Sequence, residues 1–154
     1  MSLISEKVSS VAQAQILESQ QLSAGEILQG QAHIHLATAN YSFAVNGGGQ
    51  VLHQLPLSVT IPAGAIYVGI IVETVAPLTS GGAATVALSL AGGALLNPTP
   101  VAFNAAPFNG LAGAARYNTD VVIKLGGAVN HLDITFAAAN ITAGNLNFAV
   151  QYIL

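Results

Sequence analysis

In the last ten residues, NLNFAVQYIL, an apolar side chain falls at every second position: Leu146, Phe148, Val150, Tyr152 and Leu154. Alternation of this kind sends one set of side chains to one face and the rest to the other. It fits a half-buried β-strand and does not fit a helix with a single apolar stripe. The pattern recurs along the chain. In QLPLSVTI, Leu55, Leu57, Val59 and Ile61 alternate with Pro56, Ser58 and Thr60. In HLDITF, Leu132, Ile134 and Phe136 alternate with His131, Asp133 and Thr135. HIHL, YSFAV, TVALSL and DVVIKL are shorter runs of the same sort. Between them stand NGGG, PAG, TSGG, AGG, NPTP, FNG, LGG and TAG, all turn signals. NGGG reads as a hairpin turn, because the lysine and helix of a phosphate loop are missing after it. Short strands at regular spacing, punctuated by glycine and proline, predict an all-β chain: a single antiparallel β-sandwich of jelly-roll type.

The most apolar stretch is VTIPAGAIYVGIIVETV. Pro62 and Gly64 mark a turn within it. AIYVGIIVETV then reads as one strand, with Ile66, Val68, Ile70 and Val72 on one face and Tyr67, Gly69, Ile71 and Glu73 on the other. Both faces are largely apolar, so this strand is expected to be central and covered on both sides. It does not read as a membrane span. The apolar run from Ile61 ends at Glu73, short of the roughly 20 residues that a spanning helix needs. The start, MSLISEKVSSVAQAQ, lacks the apolar centre of a signal peptide. A membrane β-barrel would carry aromatic girdles, and aromatics are 6% of this chain, with no tryptophan.

Charge narrows the function classes. Charged residues are 6% of the 154 positions, against about 25% in an ordinary globular protein. The bases are Lys7, Arg116 and Lys124, too few and too scattered to neutralise nucleic-acid phosphates or anionic lipid. There is no cysteine, hence no disulfide framework and no zinc–thiolate site. A surface with so little charge is weakly protected against association, and association is read as the protein's role.

The residues that carry chemistry do not assemble into an active site. His33 and His35 lie two apart, so on a strand both project to one face, as metal ligands can. No third ligand stands near them in sequence, and a solvated or interface-lining strand face is the reading taken. His53 and His131 are isolated. Asp133 lies two positions from His131 and can face the same way, but no GxSxG elbow supplies a nucleophile. The acids form no close pair of the glycosidase type. No catalytic residue, no cofactor and no required metal are assigned. The glycosylation sequons at Asn40 and Asn140 read as chance matches.

Residues 1–30 differ in composition and are expected to form an N-terminal arm, extended or a short helix, ahead of a sandwich domain at 31–154. The arm holds Glu6, Glu18 and Glu26, half of the chain's acids, with many serines and glutamines. Leu3, Ile4, Val8, Val11, Ile16 and Leu17 are its candidate anchors. Such a segment buries too little apolar surface alone to offset its ordering entropy. It is therefore expected to be dispensable for folding and needed for attachment.

From Tyr41 onward the chain resembles a group of tailed-phage virion proteins of the head-fibre and capsid-decoration (cement) type. The resemblance lies in YSFAVNGGG, LSVTIPAGAIYVGIIVETVAPLTSGGAATVALSLAGG and VVIKLGGAVNHLDITFAAANITAGNLNFAVQYIL. These motifs are structural, and ITAGN matches a turn before the family's last strand. The resemblance implies a β-sandwich on the phage capsid surface, assembled in the host cytoplasm. It implies a homo-oligomer, a trimer, partnered by the major capsid protein or another virion protein, with no nucleic acid and no membrane. Tyr67 and Ile71 are then the candidate interface residues of the sandwich. The alternative is a receptor- or glycan-binding tip of a fibre, with Tyr67, Phe103, Phe108, Asn109 and Tyr117 as its candidates. A host-derived surface or adhesion module is a third class.

Overall fold

The computed structural model describes residues 33–90, 100–111, 113–117 and 122–154. The arm candidates Leu3, Ile4, Val8, Val11, Ile16 and Leu17 lie outside these residues. Among the described residues, nine strands and one short helical turn follow in order: β1 (His35–Ser42), α1 (Phe43–Asn46), β2 (Leu52–Ile61), β3 (Ile66–Ser80), β4 (Thr85–Leu90), β5 (Val101–Ala102), β6 (Ala114–Tyr117), β7 (Ile123–Lys124), β8 (Val129–Ala137) and β9 (Ile141–Ile153). The first sheet runs β1-β9-β3-β6, with β7 also on β3, and the second runs β2-β8-β4-β5. All pairings are antiparallel. Strands β1 to β4 alternate between the sheets, and so do β8 and β9, which is how a jelly roll winds its two layers from one chain. The all-β sandwich predicted from the alternation is the observed architecture.

The alternating residues supply the core. Leu146, Phe148, Val150 and Tyr152 of β9 face Leu132, Ile134 and Phe136 of β8 across the sandwich, and all are buried. Phe136 packs edge-on to Tyr41, with ring centroids 5.2 Å apart, and lies 5.4 Å from the His53 ring. The Tyr41 hydroxyl donates to the Gly47 carbonyl at 2.8 Å, tying the end of α1 to β1. Burial pushes this phenol up to about 12.

Several local expectations are corrected. The β3 faces are not those of a regular strand. Tyr67 pairs with Tyr152 and Gly69 with Gln151, so Val68 is an extra residue in a β-bulge. The bulge inverts the alternation: Tyr67 joins Ile70 and Val72 in the core, while Gly69, Ile71 and Glu73 face outward. Tyr67, read from sequence as an interface residue, is fully buried in the single chain. Its hydroxyl has no hydrogen-bond partner among the described residues. Burial pushes its pKa up, and the nearby Arg116 charge opposes that.

Strand β2 breaks too. It pairs with β8 up to Pro56 and again at Ile61, and the residues between leave the ladder, so that Val59 is 47% exposed rather than inward. YSFAV is a strand only to Ser42, and HIHL only from His35. NGGG is no hairpin turn, because β1 and β2 belong to different sheets. ITAGN is no turn either, since it lies within β9 where the register against β3 is irregular. Of DVVIKL, the described strand is Ile123–Lys124. Leu154 lies past the end of β9 and is exposed. PAG is the expected turn: Ala65 N–H donates to the Pro62 carbonyl at 3.2 Å, and Gly64 takes φ +86°.

Candidate interaction surface

The outer face of the first sheet is built from the residues that alternation sends away from the core. These are Thr38 and Asn40 of β1, Asn147, Ala149 and Gln151 of β9, Ile71 and Glu73 of β3, and Ala114 and Arg116 of β6. Most are small or neutral, so the surface is flat and nearly uncharged. A groove of about 710 Å³ crosses it, from β1 over β9 and β3 to β6. Pro56, Leu57 and Ser58 wall one side. They reach it because β2 leaves its own ladder there, and Ser58 Oγ accepts from the Thr38 N–H at 2.9 Å. The break in β2 is thus what turns an open sheet face into a groove.

Two side-chain networks hold the polar groups of this face. Asn40 Nδ2 donates to Asn145 Oδ1 at 2.9 Å and to Asn147 Oδ1 at 2.8 Å, and lies 3.1 Å from the Leu146 carbonyl. Arg116 lies across the strands, and its Nη2 donates to Gln151 Oε1 at 2.6 Å. Its guanidinium passes directly over Gly69, where a Cβ would stand 2.9 Å from Nη2. Glycine at this position lets the charge lie flat on the sheet. Ile71 sits half-buried on the groove floor.

The histidines are placed differently from a metal centre. His33 is exposed ahead of β1, and His35 stacks on Tyr152 with centroids 5.3 Å apart. Among the described residues, no three His, Cys, Asp or Glu side chains come together as a metal would need. His131 and Asp133 do face the same way, on the outer side of β8, with Nε2 3.3 Å from Oδ1. Gln54 Nε2 also lies 3.1 Å from His131 Nε2. Ser89 stands opposite Asp133 in the register. The acid therefore lies between serine and histidine, whereas a catalytic triad needs the histidine between the other two. Three of the five glycan-tip candidates, Tyr67, Phe108 and Tyr117, are buried in the core and present no ring to a ligand.

Apart from Ile71, read from sequence as an interface residue, no motif singles out the groove residues. The signal was present in the complementary set of each alternating strand: Asn145, Asn147, Ala149 and Gln151 fall between the core positions of β9. No helix among the described residues is long and apolar enough to cross a membrane.

No protein-family model matches the sequence, and no curated protein matches it. In structure it is similar to a chain of the acidic stable capsid of Helicobacter pylori bacteriophage KHP30. That likeness has 16% identity and a TM-score of 0.54, and covers 79% of this chain and 87% of that one. It is also similar to a chain of the cyanophage Pam1 capsid asymmetric unit, with 19% identity and a TM-score of 0.56, covering 80% of this chain and 86% of that one. At these identities the likeness establishes a shared fold.

Proposed function

We propose that this chain is a structural protein of a phage particle, a decoration or cement protein that binds the outer capsid surface as an oligomer. One observation carries the reading: the jelly roll matches chains from two phage capsids over most of their length. The low charge and the flat, small-residue outer face of the first sheet support association rather than catalysis. The glycan-tip alternative loses support from the burial of its aromatic candidates.

The oligomer is a trimer in this reading, and the groove face is its contact. Cyclic closure covers such a face without open-ended growth. Ile71 tests it, because it lies on the outer side of β3 and not in the core. Ile71→Asp is expected to keep the far-ultraviolet circular dichroism of the native fold. It is expected to shift the sedimenting species to the monomer, since it places an unpaired charge inside the contact. A variant that sediments like the parent removes this face from the oligomer.

Attachment is assigned to residues 1–30. A chain starting at Gln31 is expected to keep its β-rich spectrum and its oligomeric state but to lose co-sedimentation with particles that lack the protein. Particle binding equal to that of the full chain sinks the assignment to the arm. Failure of the full chain to bind any such particle sinks the decoration reading itself.

A further inference from the structure

We propose that the groove on the outer face of the first sheet receives the segment around Lys7 from a second copy of this chain, with Lys7 paired to Glu73. Glu73 is the one acidic residue lining the groove, is exposed, and makes no ion pair among the described residues. The chain has three lysines and arginines in all. Arg116 is drawn the other way along β3, over Gly69, and is held there by Gln151. Lys124 pairs in register with Ile66, at the start of β3, whereas Glu73 lies in the middle of that strand. Lys7 is the remaining cation that can complement the groove.

The shape agrees with the charge. The groove crosses β1, β9, β3 and β6, three interstrand spacings or about 14 Å, which four or five extended residues span. Its floor of Thr38, Ala149, Ala114 and Ile71 is shallow and suits small side chains. In EKVSSV, Val8 offers an apolar contact for Ile71, and Ser9 and Ser10 offer hydroxyls to the Asn40 and Asn147 amides. From Lys7 to the start of β1 the chain is long enough to extend about 90 Å, so a neighbouring fold is within reach. A net charge of only −3 leaves copies with little mutual repulsion. The contact rests on the oligomer reading and reinforces a face contact that forms without it; it does not need a particle, so failure of particle binding leaves it standing.

The absence of cysteine makes the test clean. Full-length chains carrying Lys7→Cys and Glu73→Cys are co-expressed and oxidised, then compared with Lys7→Cys and Ala102→Cys, the latter exposed on β5 of the second sheet. A disulfide-linked dimer, at twice 15.5 kDa, is expected from the first pair at a yield at least about tenfold above the second, because the contact raises the local thiol concentration. Equal yields from the two pairs overturn the proposal. A bond that forms only within a chain carrying both cysteines, and never between singly substituted chains, also overturns it, because the segment then serves its own groove. In parallel, Glu73→Lys alone is expected to weaken the oligomer and Lys7→Glu in the same chain to restore it. Lack of restoration counts against the pairing.

Discussion

Phe136→Ala is expected to cost about 3–5 kcal/mol of folding stability, the range for deleting a buried phenylalanine. Phe136 is 1% exposed and packs against both Tyr41 and His53, whose rings also meet at 6.3 Å, so deleting its ring opens a cavity within a closed cluster. The loss spreads through Tyr41, whose hydroxyl ties α1 to β1. Both neighbours lose an aromatic contact worth about 0.5–1.5 kcal/mol beyond its area. Urea denaturation of the isolated protein reads the effect as a fall in midpoint at constant slope. Phe136→Leu keeps most of the volume and is expected to cost clearly less than the alanine variant. If alanine and leucine are equally mild, Phe136 is not the keystone of this cluster and the packing described for β8 is wrong.

Gly48→Ala is the second large effect. The Gly48 carbonyl accepts from the Ile141 N–H at 2.9 Å, which docks the loop after α1 onto the start of β9. A Cβ at Gly48 would collide with the Ile141 carbonyl oxygen and stand 2.7 Å from its carbon. Neither atom can rotate away, because both are backbone in a paired strand. The loop and β9 must separate, at a cost of about 1–3 kcal/mol or more. Gly49 is the internal control: a Cβ there meets only Val51 Cγ2, at 3.8 Å. Gly49→Ala is expected to be neutral or slightly stabilising, through the loss of backbone freedom in the unfolded chain. Thermal melts of the two variants should therefore move in different directions or by very different amounts. Matching melting temperatures would mean that the loop does not approach β9 as closely as described.

The strands that were legible in the sequence are those whose periodicity runs unbroken. NLNFAVQY and HLDITF place their core residues where they lie, because a pleated strand between two neighbours has no freedom to do otherwise. IPAG was legible because proline and glycine fix a turn locally. What escaped was set by contacts distant in sequence. Val68 is bulged, and the adjoining Gly69 accommodates Arg116 from another strand; nothing in AIYVGIIV announces either event. The β2 segment around Ser58 leaves its ladder and bonds a strand of the other sheet, so a regular alternation conceals an irregular path. Asp133 lies at an outward position of β8 and is nevertheless buried, which periodicity alone cannot signal. The groove escaped for the same reason: its floor and wall come from five strands, β1, β2, β3, β6 and β9, and exist only once the sheets are stacked.

The seam between Thr38 and Ser58 has a further consequence. A sheet border is a row of free amides onto which a stray strand can zip, the first step toward fibrils. With charged residues at 6%, this chain has little electrostatic repulsion to keep strands apart. The geometry supplies the guard instead. On one flank, Ser58 occupies the Thr38 amide and the irregular course of β2 breaks the rail. On the other flank, the strands among the described residues are short, two residues in β5 and β7 and four in β6, and offer little rail to a growing ribbon. Crowded copies of this protein are thereby steered from backbone zippering toward side-chain contacts across faces, which can be specific and can close on themselves.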